Sequence, residues 1–398
     1  SMSRASRADG SCCGSSASMT TCPLRRSNPS TVFPHLVPVF AKHRQPSSGH
    51  RVNGVLVIGH RSDHGRATAF PCHAGGVTAL VWDDATTQAQ AIRSGSTTAS
   101  DLLEEYLDRI ERYDPVLRAY VALDVDGARA AARAADASIA RGTEQRLPFL
   151  GVTISVKDVV DMAGMPTTHS CKALVDNVAP VDGPVVERLR RAGFVVLGKT
   201  SVPEFCTSMT SSELHGVCRN PWDLERTPGG SSGGAAAAVA AGLCAVAHGT
   251  DGAGSVRVPA AFCGLVGVKP TRGSVSFGPE VDDPYYGTTV DGVLARSVSD
   301  AAGFLEVLTG RPIGPIDPQP GIGPGVRVAV TTAAPYGIVD PECAGAAEDT
   351  GELLESLGHV VDAGAPRWDV ILAAAMGPMS VPGPAGLVGP DQVHLLEP

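Results

Sequence analysis

Aromatic residues are scarce in this chain, making up 5% of its 398 residues. In the first 75 residues the basic side chains are scattered and not interleaved with aromatics, so a nucleic-acid arm there is a minor alternative. Long apolar runs are missing as well. None approaches the roughly 18 residues that a membrane span requires, and the protein is expected to be soluble, with no membrane partner. Of the ten cysteines, no two are spaced C-x-x-C, so neither a zinc site nor a disulfide framework is favoured. They are expected to be small buried hydrophobes, Cys171 and Cys206 included, in a reducing cytoplasm. The eleven histidines contain no H-E-x-x-H. His169, His215 and His248 are expected to support structure or line a pocket, and neither a metal nor a cofactor is called for. A G-x-x-x-x-G-K-[ST] phosphate loop and internal repeats are also lacking.

Charge is unevenly spread. Net charge is −9 overall, yet the first 75 residues hold nine basic and two acidic side chains, a net of +7 that leaves −16 for the remainder. An acidic remainder argues against polyanionic partners, nucleic acid included. The basic leader lacks the apolar core of a secretory signal, and Pro23, Pro29, Pro34 and Pro38 interrupt any amphipathic targeting helix. Residues 1–76 are therefore expected to be a low-complexity, disordered extension with some strand content in GVLVIGH.

From Val77 the pattern becomes regular. Thr98 and Asp101 form a capping box ahead of Leu102, Leu103, Tyr106, Leu107 and Ile110, which predicts an amphipathic helix ending before Pro115. Alanine-rich and strand-like segments then alternate to the region of Gly364. Such alternation implies an α/β fold, a mixed and mainly parallel central sheet covered by helices on both faces. Residues 77–398 are read as one domain.

Two serines in that domain have the setting of reactive groups. Ser231 lies in PGGSSGG, and Ser255 follows 24 residues later in GTDGAGSVR. Glycine lets main-chain N–H groups approach a ligand with no Cβ between them. Between the serines, AAAAVAAGL predicts a helix and CAVAHG a short buried strand. GGSSG also satisfies the nucleophile elbow G-x-S-x-G, but Pro228 precedes it where a strand is required. GAGSVR begins like a dinucleotide fingerprint, yet Arg257 takes the third glycine's place, and the segment leads toward Pro259 instead of opening a helix. Upstream, LGVTISVKD predicts a buried strand that delivers Lys157. Burial would lower the amine's pKa and make it a general base; a lysine that snorkels to solvent or pairs with Asp158 is the alternative.

GVTISVKD, VLGKTSVPEF, RNPWDLERTPGGSSGG and GTDGAGSVRVPAAFCGLVGVKPTRG occur in the order found in the amidase signature family of hydrolases. The chain resembles that family from about Val77 onward. The resemblance implies a Ser-Ser-Lys triad, with Ser255 as nucleophile, Ser231 as bridging serine in a cis peptide, and Lys157 as base. An oxyanion hole from Gly252, Ala253, Gly254 and Ser255 is implied with it, supported by Gly229, Gly230, Ser232, Asp251 and Arg257. Asp251 and Arg257 are expected to brace the loop. Ala253 departs from the family's usual glycine. The expected activity is cleavage of a small-molecule carboxamide to an acid and an amine or ammonia through a seryl acyl-enzyme. A homodimer is an allowed assembly. Other readings are the glutaminase-like subunit of a tRNA-dependent amidotransferase, which Ala253 and Val258 fit less well, and a silent scaffold. Family members continue beyond the point matching Pro398, so the usual C-terminal portion is expected to be lacking. Tyr285 and Tyr286 are candidate pocket residues.

Overall fold

A computed structural model describes residues 36–39, 55–59, 77–143, 147–276, 288–312, 325–334, 337–368 and 388–397. Contacts divide the chain into residues 1–33, which lie outside the described residues, and 34–398. Tyr285, Tyr286 and most of the expected extension are likewise outside them.

Eight strands form the main sheet. In chain order they are β1 (Leu36–Val39), β2 (Val55–Gly59), β3 (Tyr120–Leu123), β4 (Thr153–Lys157), β5 (Val195–Thr200), β8 (Val246–Asp251), β9 (Val266–Lys269) and β10 (Val290–Ala295). Minor two-stranded sheets pair β6 (Ser211–Ser212) with β7 (Gly216–Val217), and β11 (Arg327–Val330) with β12 (Val360–Ala363). The main sheet runs β1-β2-β9-β10-β8-β4-β5-β3. Its centre is parallel where β4 lies between β5 and β8; the other neighbours pair antiparallel. The sheet is mixed as expected, but its parallel part is narrower than the alternation of elements implies. Helical crossovers join only some neighbours, whereas β9 and β10 are antiparallel although a long connection separates them. β1 and β2 fall inside the expected extension, and β2 adds to the edge of β9.

Burial follows composition. Every residue of β4, β5, β8 and β10 is buried, as suits central strands covered on both faces. α6 (Gly233–Ala240) consists of glycine, alanine and one valine and is buried on all sides. α1 (Val77–Leu80), α2 (Ala85–Arg93) and α3 (Ala99–Leu117) precede β3, and α4 (Val125–Ala140) precedes β4. α3 starts as predicted, with the Thr98 hydroxyl accepting from the Asp101 N–H. It does not stop before Pro115. Proline sits inside its last turn, and the helix closes at Arg118, whose left-handed backbone donates to the Asp114 carbonyl at 2.7 Å. Complete burial of Leu117 favours that extra turn over an earlier end. α5 (Pro184–Arg191), α7 (Arg257–Phe262), α8 (Val298–Thr309) and α9 (Pro341–Ser356) complete the helices described. α7 opens directly after Ser255, where the approach to Pro259 predicts no helix; the proline occupies its first turn, where no helical donor is needed. No helix described is long and apolar enough to cross a membrane.

Arg109 ties α3 to the end of α6. Its Nε donates to the Gly242 carbonyl at 2.8 Å and its Nη2 to that of Ala241 at 2.7 Å. The guanidinium also lies over Trp82, 4.7 Å from the ring centre. Replacement by alanine leaves buried carbonyls without their charged donor, so Arg109→Ala should lower unfolding stability by about 3 kcal/mol. Urea unfolding measures this; an unchanged midpoint would show that α6 is held without Arg109.

Candidate active site

Lys157 ends β4 with its side chain completely buried. Its Nζ lies 2.7 Å from the Ser231 Oγ and 2.8 Å from the Thr250 Oγ1. Asp158 is not its partner. That carboxylate is engaged by Lys199 at 2.9 Å and accepts from the Thr168 hydroxyl at 2.5 Å, all within the buried interior. Lys157 thus faces hydroxyls and a carbonyl in place of a neighbouring carboxylate. Burial pushes its amine below the ordinary lysine value, against the opposing influence of Cys206, Asp251 and Asp291.

Ser231 follows a cis Gly230–Ser231 peptide, as the resemblance implies. A side chain at Gly230 would meet the Ser208 carbonyl oxygen at 2.3 Å, so glycine allows the two loops to touch. Thr210 fixes the other side: its Oγ1 accepts from the Gly233 N–H at 3.0 Å and donates to the Ser231 carbonyl at 3.3 Å. Ser232 joins this loop to the second serine, its N–H donating to the Ser255 carbonyl at 3.1 Å and its hydroxyl to the Thr250 carbonyl at 3.3 Å.

The 251–257 loop is built around one carboxylate. Asp251, fully buried, accepts from the N–H groups of Gly254 at 2.8 Å and Val256 at 3.2 Å, and from Arg257 Nε and Nη2 at 2.8 and 2.9 Å. Burial alone would raise its pKa; the Arg257 guanidinium and main-chain donors outweigh that and hold it below the usual carboxylate value. Gly254 has φ +115°, which disfavours any side chain there. Its N–H is committed to Asp251, unlike the expected free donor. The N–H groups of Gly252, Ala253 and Ser255 meet no protein acceptor among the described residues. Gly252 and Ala253 are exposed, Ser255 is half-buried, and the Ser255 hydroxyl makes no hydrogen bond among the described residues.

Several neighbours have no role in the sequence reading, among them Thr210 and also Thr250, although Thr250 lies within GTDGAGSVR just after the strand predicted from CAVAHG. Cys206 is half-buried near Lys157, unlike the fully buried Cys171. His169 and His215 flank the Asp158 and Thr168 pair; burial pushes both imidazoles down, with Asp158 opposing. His248 instead lies deep in β8, bonded to Asp291. Among the described residues, no group of three or more His, Cys, Asp or Glu is placed to hold a metal ion.

Comparison with known proteins bears on this geometry. The family model described as Amidase matches residues 101–377. A Mycobacterium tuberculosis (strain ATCC 25618 / H37Rv) protein named "Putative amidase AmiB2" is 46% identical over 294 residues, covering 71% of this chain and 62% of the relative. The 6-aminohexanoate-cyclic-dimer hydrolase of Paenarthrobacter ureafaciens is 42% identical over 301 residues, with 71% and 59% covered. Among solved structures, native peptide amidase from Stenotrophomonas maltophilia aligns with TM-score 0.61 and 32% identity, over 70% of this chain and 61% of that one. The chain spans about three fifths of the length of the curated relatives it matches.

Asp251 generates a pH prediction. A carboxyl whose folded value is depressed adds stability above the unfolded value of about 3.9, and this is lost as pH falls toward the folded value. Asp251→Asn should therefore be less stable than the parent near neutrality, with the gap narrowing below about pH 4. Urea midpoints over that range check it; a gap independent of pH would remove ionised Asp251 as the brace.

Proposed function

Because this chain belongs to the amidase family, we propose that it hydrolyses a carboxamide to a carboxylic acid and an amine or ammonia, with Ser255 as nucleophile. The observation that carries this reading is the fully buried Lys157 amine 2.7 Å from Ser231 Oγ, on a loop bonded to the Ser255 carbonyl. In the proposed sequence, neutral Lys157 takes the proton of Ser231 as Ser231 takes that of Ser255. The Ser255 oxygen then forms a bond to the amide carbon. Negative charge moves onto the carbonyl oxygen, where the N–H groups of Gly252, Ala253 and Ser255 are the available donors. Collapse of this intermediate breaks the C–N bond as Ser231 gives a proton to the departing nitrogen and regains one from Lys157. Water, losing a proton through the same relay, then releases the acid from the acyl-enzyme, and the proton returns to the Ser255 oxygen.

Each remaining residue has a supporting part in this scheme. Asp251 and Arg257 hold the donor loop, Gly254 turns it, and Gly229, Gly230 and Ser232 admit Ser231 to the lysine. Relatives named as an amidase and as a cyclic-dimer hydrolase support a hydrolase that acts on amides. The cytoplasm is its proposed setting, supported by the six cysteines among the described residues, which stand as free thiols.

Fluorophosphonate labelling tests the nucleophile. The probe should modify Ser255, Ser255→Ala should lose both labelling and amide hydrolysis, and Lys157→Ala should slow both by roughly 10²–10⁴-fold, as expected for loss of a general base. Undiminished hydrolysis in Ser255→Ala would overturn the reading.

A further inference from the structure

A second buried polar pair lies beneath the proposed base. His248 on β8 and Asp291 on β10 are 0% and 1% exposed, and the imidazole Nε2 donates to the Asp291 Oδ1 at 2.9 Å. The bond leaves two polar atoms over: neither His248 Nδ1 nor Asp291 Oδ2 has a hydrogen-bond partner among the described residues. A buried carboxylate with one donor is an expensive arrangement to keep for packing alone, since each unsatisfied polar atom costs stability.

Position gives the pair a use. Asp291 is the direct cross-strand partner of Thr250, so the two side chains share one face with Cβ atoms about 5 Å apart. Thr250 Oγ1 is the atom that accepts from Lys157 Nζ at 2.8 Å. The carboxylate therefore stands one strand from the lysine amine, with a threonine hydroxyl between them.

We propose that Asp291, held by His248, is a positioning residue whose buried charge sets how strongly Lys157 keeps its proton. The inference rests on Lys157 being the base of the proposed hydrolysis. A base stripped of its proton affinity by burial would be too weak to draw a proton from Ser231; a nearby negative charge restores part of that affinity. Asp291 is among the groups that oppose the effect of burial at Lys157. The others facing the amine are Cys206 and Asp251. Asp251 contributes as well, although it is ion-paired with Arg257. His169 lies within electrostatic range as well. Around the pair itself, α6 carries no ionisable residue, and Lys269 on β9 donates to the Pro270 carbonyl. On α8, Asp300 accepts from the N–H groups of Ala85 and Thr86, and Glu306 is half-buried.

The chain has only five lysines, so the Lys157 side chain can be followed by NMR of ¹³Cε-lysine in the full-length protein, assigned with Lys157→Arg. Asp291→Asn should move the Lys157 titration midpoint down by about one pH unit. If the asparagine variant does not fold, Asp291→Thr, uncharged and suited to a strand, reads the same quantity. An unmoved midpoint in either folded variant overturns the proposal, even where the melting temperature falls, because packing alone would cost stability without moving the titration. The midpoint is read with no turnover. Failure of Ser255 to react with the fluorophosphonate would therefore strike the hydrolase reading, while a lowered midpoint would still uphold the Asp291 effect.

Discussion

Lys157 is a cation-forming side chain buried without a carboxylate of its own, and the local structure is arranged around that fact. Asp158, its neighbour in sequence, is the obvious counter-ion and is withheld: Lys199 and Thr168 occupy it. Burial then favours the neutral amine, and the partners it does have, Ser231 Oγ and Thr250 Oγ1, can each share a hydrogen bond with an uncharged lysine. An ion pair at this position would have stabilised the ammonium and removed the base. Two lysines on adjacent strands thus have opposite assignments, one paired and one free to take a proton.

Close approach is the second constraint. Ser231 reaches the lysine because loop, helix and strand pack at backbone distance, with Gly230 against Ser208 and an all-small α6 behind it. Bulky side chains are avoided there, so the serine's place is set by main chain and not by adaptable rotamers. On the other side, a single buried carboxylate, Asp251, gathers main-chain donors and an arginine into one rigid turn. The two loops meet through main chain at Ser232 and Ser255.

Much of this was legible in sequence. Glycines around Ser231 and Ser255, an apolar strand before Lys157, and Thr98 as the cap of α3 are local signals, and each has its counterpart in the structure. What escaped depended on neighbours distant in the chain. Whether Lys157 or Lys199 pairs with Asp158 is decided by the register of β4 against β5, which no local pattern encodes. Thr250 and Asp291 are ordinary residues until strand pairing brings them toward the lysine, and Thr210 until its loop meets that of Ser231. Pro115 misled because burial of Leu117 outweighs a helix breaker in the last turn. The resemblance implies Gly254 as an oxyanion donor, but Asp251 holds its N–H.

The sheet's direction change explains why the site assembles where it does. β4 and β8 run parallel, so Lys157 and Thr250 both emerge at carboxyl ends, where open α/β sheets commonly place their ligands. β10 runs against β8, and its first residues therefore arrive at the same edge. Were β10 parallel, the residue beside Thr250 would come from its far end, and Asp291 would lie remote from the lysine. The antiparallel part of the sheet thus brings a buried charge to a site whose base and loops come from the parallel part. That convergence requires β10 to hold its register with β8: a slip of one residue would turn Asp291 to the opposite face and leave His248 without its carboxylate.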